Sequence, residues 1–518
     1  MTPKTKYVSC KVYDSTKDDF SFPELEYDEI KNKKNIGICF SGGGTRSASL
    51  TMGQLRALNT LGVLPEIRYL SAVSGGSWGS FPFMFLDEKI SDEHFLGEYV
   101  QPADLKIEQL KEDKKESLTY AISNSKIFDD FIKQLGAGDE RYAHIISDIF
   151  LSPFNLGNRK KFFTYNKKSR DEILRQNPNL DEDFFYMVNK RNNRPFPIAG
   201  GTILRPKLTR YPFEMTPLYV GVNQLFENAG SFKKYHIGGG YIEPHGFDSD
   251  SPHSYDPDTN EAYVRLGRTR HMFTLGDVIG TSGAAPAEYA ERFKLEFLGF
   301  PEFKYWSPAE ADGNPKSKEY DFGDGGILEN SGIMPLLKRG VKKIIVFSNG
   351  STPLSIQTSG EIELSSSIPA LFHKLPNQYG EKDFTDNIVF AKQEKKYKAL
   401  VKKLYQLKAD GKPAIVKDTY AVTEQPCHGI KGGYDVEIIW VYNDIVRNWI
   451  NALPVDIQIR LGKNEFGKTF PMLATFMENF PHIIDLRSEQ ANLAAHLSSW
   501  NLFENADLIK EFVATAEQ

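Results

Sequence analysis

IRYLSAVSGGSWGSFPFMF, residues 67 to 85, is an apolar run that stops on Ser74 and passes at once through Gly75 and Gly76 into a second apolar run. Its pattern predicts a buried strand, a turn and a helix, with Pro82 in the first turn of a helix over Trp78 to Ile90. A serine on a tight strand-to-helix turn stands exposed above the sheet, the geometry of a nucleophile elbow, and the turn is crowded enough to call for glycine. The usual pattern is G-x-S-x-G. Here Ala72-Val73-Ser74-Gly75-Gly76 carries alanine at the first glycine position. Taken alone, the same residues also suit an ordinary strand-to-helix turn.

A second glycine loop lies about thirty residues earlier. Asn35 to Phe40 reads as a short buried strand, Ser41-Gly42-Gly43-Gly44 breaks it, and from Thr45 the spacing of Ala48, Met52, Leu55 and Leu58 predicts a helix ended by Gly62. Two strand–loop–helix units in succession predict an α/β fold. Consecutive backbone N–H groups at a helix start hold an anion, and beside a nucleophilic serine they form an oxyanion hole. Arg46 would add a permanent cation suited to a phosphate, or else a surface salt bridge. A nucleotide loop is the rival reading, but SGGGTRS lacks both the Lys-Ser/Thr of a P-loop and the G-x-G-x-x-G spacing.

The third element is YDFGDGGILEN, Tyr320 to Asn330, which lies just before a strand at Val341 to Asn349. Its glycines present an aspartate from backbone alone. With a reference pKa of about 3.9, such a carboxylate serves as general base for Ser74 only if burial or a short hydrogen bond tunes it; otherwise the segment is an Asx-type turn. Asp321-Phe322-Gly323 spells the metal-binding tripeptide of protein kinases, but no H-R-D loop precedes it.

Composition bounds the rest. The chain has 518 residues, 40% hydrophobic, 25% charged and 13% aromatic, with a formal net charge of -5, which fits a globular α/β unit and not a basic nucleic-acid binder. Cys10, Cys39 and Cys427 are too few and too scattered for a disulfide framework, so a reducing cytoplasmic setting is expected. The N-terminus has no secretory pattern and no apolar window reaches the ~18 residues of a membrane span, so any work on membranes is done from solution. Residues 91–158 read as a charged helical cap, Phe196 to Leu204 as a core strand and acidic Pro244 to Asn260 as a loop without EF-hand spacing. Phe390 to Leu407 reads as an amphipathic helix with Tyr397, Leu400, Val401, Leu404 and Leu407 inward; its lysines are a solvated face or a contact for anionic lipid.

FSGGGTRSASLTMGQLRALNTLGVLPEIRYLSAVSGGSWG, Phe40 to Gly79, resembles the catalytic region of the cytosolic phospholipase A2 (group IV) and lysophospholipase B family and, more distantly, patatin. Phe213 to Pro217 (FEMTP), Gly280 to Pro286 (GTSGAAP) and DGGILENSGIMPLLKRGVKKIIVFSNG from Asp324 resemble further segments of that pattern in order, so the likeness spans roughly Asn35 to Asn349. It implies a patatin-like central β-sheet flanked by helices with a helical cap. The implied plan is an N-terminal extension over 1–34, a catalytic domain over 35–354 with its cap at about 91–158, and a mostly helical part over 355–518 containing one strand, Val436 to Tyr442.

It further implies a Ser-Asp dyad without histidine: Ser74 as nucleophile, Asp324 rather than Asp321 as base, Gly43 and Gly44 as oxyanion hole and Arg46 at the head-group phosphate. The implied substrate is a phospholipid or lysophospholipid met at a membrane surface and cleaved through an acyl-enzyme, with no metal or organic cofactor; an activating protein partner stays open. Two departures stand out: Ala72 at the elbow, and a first strand so near the N-terminus that no calcium-binding C2 domain precedes it. The alternatives are a Ser-Asp-His esterase using His373, His428, His482 or His496, and a lipid-binding protein without turnover.

Overall fold

The computed structural model describes residues 7–124, 141–204, 210–230, 233–266, 272–285, 287, 299–313, 315–374, 385–473 and 486–518. Five strands form its centre, in the spatial order Phe196–Ile203, Ile67–Val73, Lys34–Phe40, Lys343–Ser348, Tyr434–Tyr442, and all four pairings are parallel. Their interiors are continuous apolar runs because both faces are covered. On the strand Lys34–Phe40, Gly37 lies against Leu336 while Phe40, three residues on and therefore on the other face, meets Gly76. The sheet continues antiparallel on both sides to fourteen strands, with Ala414–Val422 at one edge and Tyr211–Met215, Val220–Gly230, Lys233–Ile242, Tyr7–Asp14, Glu261–Arg265 and Ser254–Asp256 extending the other. This is the mixed α/β architecture expected, a large central sheet flanked by helices.

Parallel strands place their carboxyl ends on one edge, where open α/β sheets bind ligands. Phe40, Val73 and Ser348 all end there. The strand Lys318–Asp324 reaches the same place from the opposite direction. Ile67–Val73 pairs along Phe196–Ile203 as far as Val73 opposite Gly200, and Lys318–Asp324 takes over on that edge with Asp324 opposite Gly201. The other edge is held by Tyr211–Met215. Two strands therefore meet end to end along a third, and the residues at the meeting point are Ser74 and Asp324.

Several local expectations change. The helix after the elbow runs Gly75–Phe85 and starts directly at the turn, so Pro82 lies well inside it and not in its first turn. The N-terminal extension contains the strand Tyr7–Asp14, whose alternate residues Val8, Cys10 and Val12 are buried between two partner strands. Among the described residues the part from 355 on holds four strands rather than one: Ser355–Ile356 pairs with Ile362–Glu363, and Ala414–Val422 joins Tyr434–Tyr442 in the central sheet. The acidic segment over 244–260 includes the short strand Ser254–Asp256. In the region read as a cap, helices run Asp92–Leu96, Ile107–Leu110, Leu118–Ser123 and Arg141–Phe150, and residues 125–140 lie outside the described residues. The amphipathic helix spans Glu394–Ala409 with Leu400, Val401 and Leu404 buried. No helix among the described residues is long and apolar enough to cross a membrane.

Below the meeting point a buried ion cluster fastens the helix Met334–Lys338 to the sheet. Lys338 and Arg339 bind Glu214 at 2.5 and 3.1 Å, Arg339 binds Glu24 at 2.9 Å, and Tyr219 donates to Glu24 at 2.7 Å. Burial alone would raise the Glu214 pKa, but the two cations hold it down at about 2. A carboxylate with a depressed folded pKa contributes stability above its unfolded value and loses it as pH falls. Glu214→Leu leaves two buried cations without this partner and is expected to cost about 3–5 kcal/mol in chemical denaturation. The difference from wild type should shrink as pH falls from 4.5 towards 2.

Candidate active site

Ser74 sits at φ 52°, ψ -130°, a region that a residue with a Cβ enters only at a cost of roughly 1–3 kcal/mol, so the turn around it must be held firmly. Its N–H donates to the Ser282 carbonyl at 3.0 Å and to Ser282 Oγ at 3.1 Å. Its own carbonyl accepts from Ser77 N–H at 2.9 Å and Ser77 Oγ at 2.6 Å, which starts the helix. Gly75 has no room for a side chain: a Cβ there would lie 2.0 Å from the Gly44 carbonyl oxygen. The two glycine loops are thus in backbone contact, and that contact is what the glycines after Ser74 permit.

The first loop is shaped by Gly43 at φ 142° and Gly44 at φ 58°, left-handed values that favour glycine. A Cβ on Gly42 would come 2.9 Å from the Ser74 Cβ, so the loop lies directly beside the serine. The N–H of Gly42 is bonded to the Asn330 carbonyl at 3.1 Å, while those of Gly43 and Gly44 meet no acceptor among the described residues. Free N–H groups at the start of the helix Gly44–Thr60 are what an oxyanion requires.

Asp324 is buried, at 3% exposure, accepts the Gly326 N–H at 2.7 Å and lies beside the Ser74 side chain. Burial raises its pKa to about 7, with the Ser74 hydroxyl and the Gly326 N–H holding it back. The obstacle to an aspartate base, its low ordinary pKa, is removed by where the chain puts it. Asp321 lies three residues back on the same strand, opposite Glu302, and its carbonyl accepts the Leu204 N–H at 2.9 Å.

Arg46 is 4% exposed; Nε donates to the Asn349 carbonyl at 2.9 Å and Nη1 to the Leu473 carbonyl at 2.7 Å. A Cβ on Gly43 would lie 2.4 Å from Nη2, so the guanidinium underlies the glycine loop rather than projecting from the surface.

Asn349 and Gln54, which sequence reasoning passed over, fix that loop from below. Asn349 N–H donates to Ser41 Oγ at 2.7 Å, and its side chain exchanges hydrogen bonds with Gln54 at 2.7 and 3.2 Å and donates to Ser47 Oγ at 3.2 Å. The available signal was an amide side chain closing an apolar strand.

Of the candidate triad histidines, His428 is buried against Asn387 at 3.4 Å, burial pushing its pKa down to about 3, and His496 is buried beside Arg56 and Tyr99. Neither these nor His373 is hydrogen-bonded to Ser74 or Asp324, and His482 lies outside the described residues.

No family model matches the chain, and no curated protein matches it in sequence. Among solved structures it is similar to human GIVD cytosolic phospholipase A2, at 14% identity and a TM-score of 0.44 over 96% of this chain and 61% of that one. The same human enzyme in complex with methyl gamma-linolenyl fluorophosphonate gives 13% identity and a TM-score of 0.41, again over 96% of this chain and 60% of that one. This chain therefore spans about three fifths of the length of those proteins. The chemistry of the site rests on this chain's own residues.

Because Asp324 carries a raised pKa, its ionisation opposes folding: stability is greatest below about pH 4 and declines as pH rises through 7. Asp324→Asn removes that penalty. Its melting temperature is expected to match wild type near pH 4 and to exceed it increasingly towards pH 8, a difference on the order of 4 kcal/mol at full ionisation. Scanning calorimetry across that range checks the sign.

Proposed function

We propose that the protein is a lipid acyl hydrolase that cleaves fatty-acyl esters of phospholipids or lysophospholipids. The observation that carries the reading is Ser74, held in a strained turn beside a buried Asp324 whose pKa is raised to about 7. The sequence resemblance around Ser74 and Asp324 supports the substrate class.

In the proposed reaction Ser74 Oγ attacks the acyl carbonyl as its proton passes to Asp324. The carbonyl oxygen becomes an oxyanion held by the Gly43 and Gly44 N–H groups. The C–O bond to the glycerol then breaks, the alkoxide leaves with the proton from Asp324, and the fatty acid remains as an ester on Ser74. Water attacks that ester, gives a proton to Asp324, and the collapse of the second oxyanion returns it to Ser74 Oγ as the fatty acid departs.

Arg46 places positive charge beneath the loop, where it stabilises both oxyanions and attracts the phosphate of the head group. The chemistry calls on no metal or organic cofactor. The proposed setting is the cytoplasm, with transient contact to a membrane surface and no nucleic-acid partner.

Fatty-acid release from mixed phospholipid and lysophospholipid micelles, with EDTA present, tests the reading. Wild type should release fatty acid at a rate that rises with pH through about 7, as Asp324 deprotonates. Folded Ser74→Ala and Asp324→Ala variants should each lose at least ~1,000-fold in kcat. Vesicle binding without release, unaffected by Ser74→Ala, would instead show a lipid-binding protein.

A further inference from the structure

The strands that deliver Ser74 and Asp324 run in opposite directions and meet only at their ends, so the edge of Phe196–Ile203 aligns them without tying one to the other. A second tie exists. The segment Ser282-Gly283-Ala284, at the end of the helix Leu275–Ser282, offers three successive carbonyls to three different parts of the site. Ser282 accepts the Ser74 N–H at 3.0 Å, with its Oγ sharing that proton at 3.1 Å. Gly283 accepts the Tyr142 hydroxyl at 2.6 Å, and Ala284 accepts the Asp324 N–H at 3.3 Å.

Two contacts keep the segment from sliding. A Cβ on Gly283 would fall 2.5 Å from the Trp78 indole, and Trp78 Nε1 donates to the Ile279 carbonyl at 3.0 Å. Tyr142 belongs to the helix Arg141–Phe150, which lies against the helix Leu275–Ser282 at Ala143, where a Cβ on Gly280 would come within 2.6 Å of the Ala143 Cα.

We propose that Tyr142 and Ser282 are positioning residues that fix the distance between Ser74 and Asp324 through this segment. The inference rests on the hydrolase reading above. It assigns the helix carrying Tyr142 a part in the reaction geometry beyond covering the site. Displacing a reacting group by about 1 Å can cost 10²-fold in rate, while ground-state binding of a flexible acyl chain is little affected. Loosening the clasp should therefore lower kcat and leave KM in place.

The charge environment makes the effect readable. The groups facing Asp324 are the Ser74 hydroxyl, the Gly326 N–H and the Tyr142 phenol. Burial, and then the charge of Asp324, raise the Tyr142 pKa, so the phenol is neutral at working pH and Tyr142→Phe removes no charge. A change in the Asp324 titration in that variant would report geometry: if the Ser74 hydroxyl moves away from Asp324, a contribution that lowers the Asp324 pKa is lost and the acid limb moves to higher pH.

The test compares wild type with Tyr142→Phe, Ser282→Ala and Ser282→Thr, all confirmed folded by thermal melting. It measures kcat and KM on a soluble fatty-acyl ester from pH 5 to 9, and the rate at which an alkyl fluorophosphonate labels Ser74. Expected are a fall in kcat of about ten- to a hundredfold for Tyr142→Phe and Ser282→Ala, unchanged KM, an acid limb displaced upward, slower labelling, and recovery of most of the rate in Ser282→Thr, which keeps the Oγ. Unchanged kcat and labelling, or a fall that leaves the pH profile where it was, overturns the positioning role while wild-type turnover leaves the hydrolase reading standing. Wild type that neither hydrolyses nor labels removes the hydrolase reading itself, and the positioning role with it.

Discussion

Everything at the site depends on two opposed strands sharing one edge of a third. Phe196–Ile203 is long enough for Ile67–Val73 to occupy its first part and for Lys318–Asp324 to occupy its last, and the junction falls between Gly200 and Gly201. Side chains there would block the approach: a Cβ on Gly200 would lie 2.7 Å from Val73 Cγ1. Parallel pairing then brings a second strand end, Phe40, alongside, so the glycine loop that follows it has no other place to go. Ser74, Asp324 and the N–H groups of the glycine loop converge although they lie far apart in sequence.

Burial at that junction supplies the chemistry as well as the geometry. An exposed aspartate would be a poor base at neutral pH, and an exposed serine has nothing to take its proton. Enclosure changes both at once, raising Asp324 to about 7 while placing Ser74 Oγ beside it. The cost is borne by neighbouring structure, including the polar network of Asn349, Gln54 and Ser41 under the glycine loop and the ion cluster around Glu214 and Arg339.

Much of this was legible in the sequence because the relevant signals are local. The strand–serine–glycine–helix order marks Ser74, and the three glycines before Thr45 mark the glycine loop, since glycine most readily takes the positive φ found at Gly43 and Gly44. Less legible were elements whose meaning depends on distant partners. The alternation in YVSCKVYD becomes decisive only when Tyr7–Asp14 is seen between two strands, and Ala414–Val422 carries lysine and aspartate because it is a sheet edge. Tyr142, Ser282, Asn349 and Gln54 act through hydrogen bonds that join residues 141 to 308 positions apart, which no pattern of spacing encodes. Arg46, read from the sequence as a cation for a phosphate or a surface salt bridge, has carbonyl acceptors that hold it beneath the loop.

Those acceptors also set a timetable. The guanidinium under the glycine loop is anchored by the carbonyl of Leu473, 427 residues further along the chain. Contacts of such long sequence separation close late, after most of the chain has emerged. A chain synthesised only as far as the helix Gly75–Phe85 therefore carries Ser74 before the loop beside it is braced, and the site is completed only when the segment bearing Leu473 has packed against it.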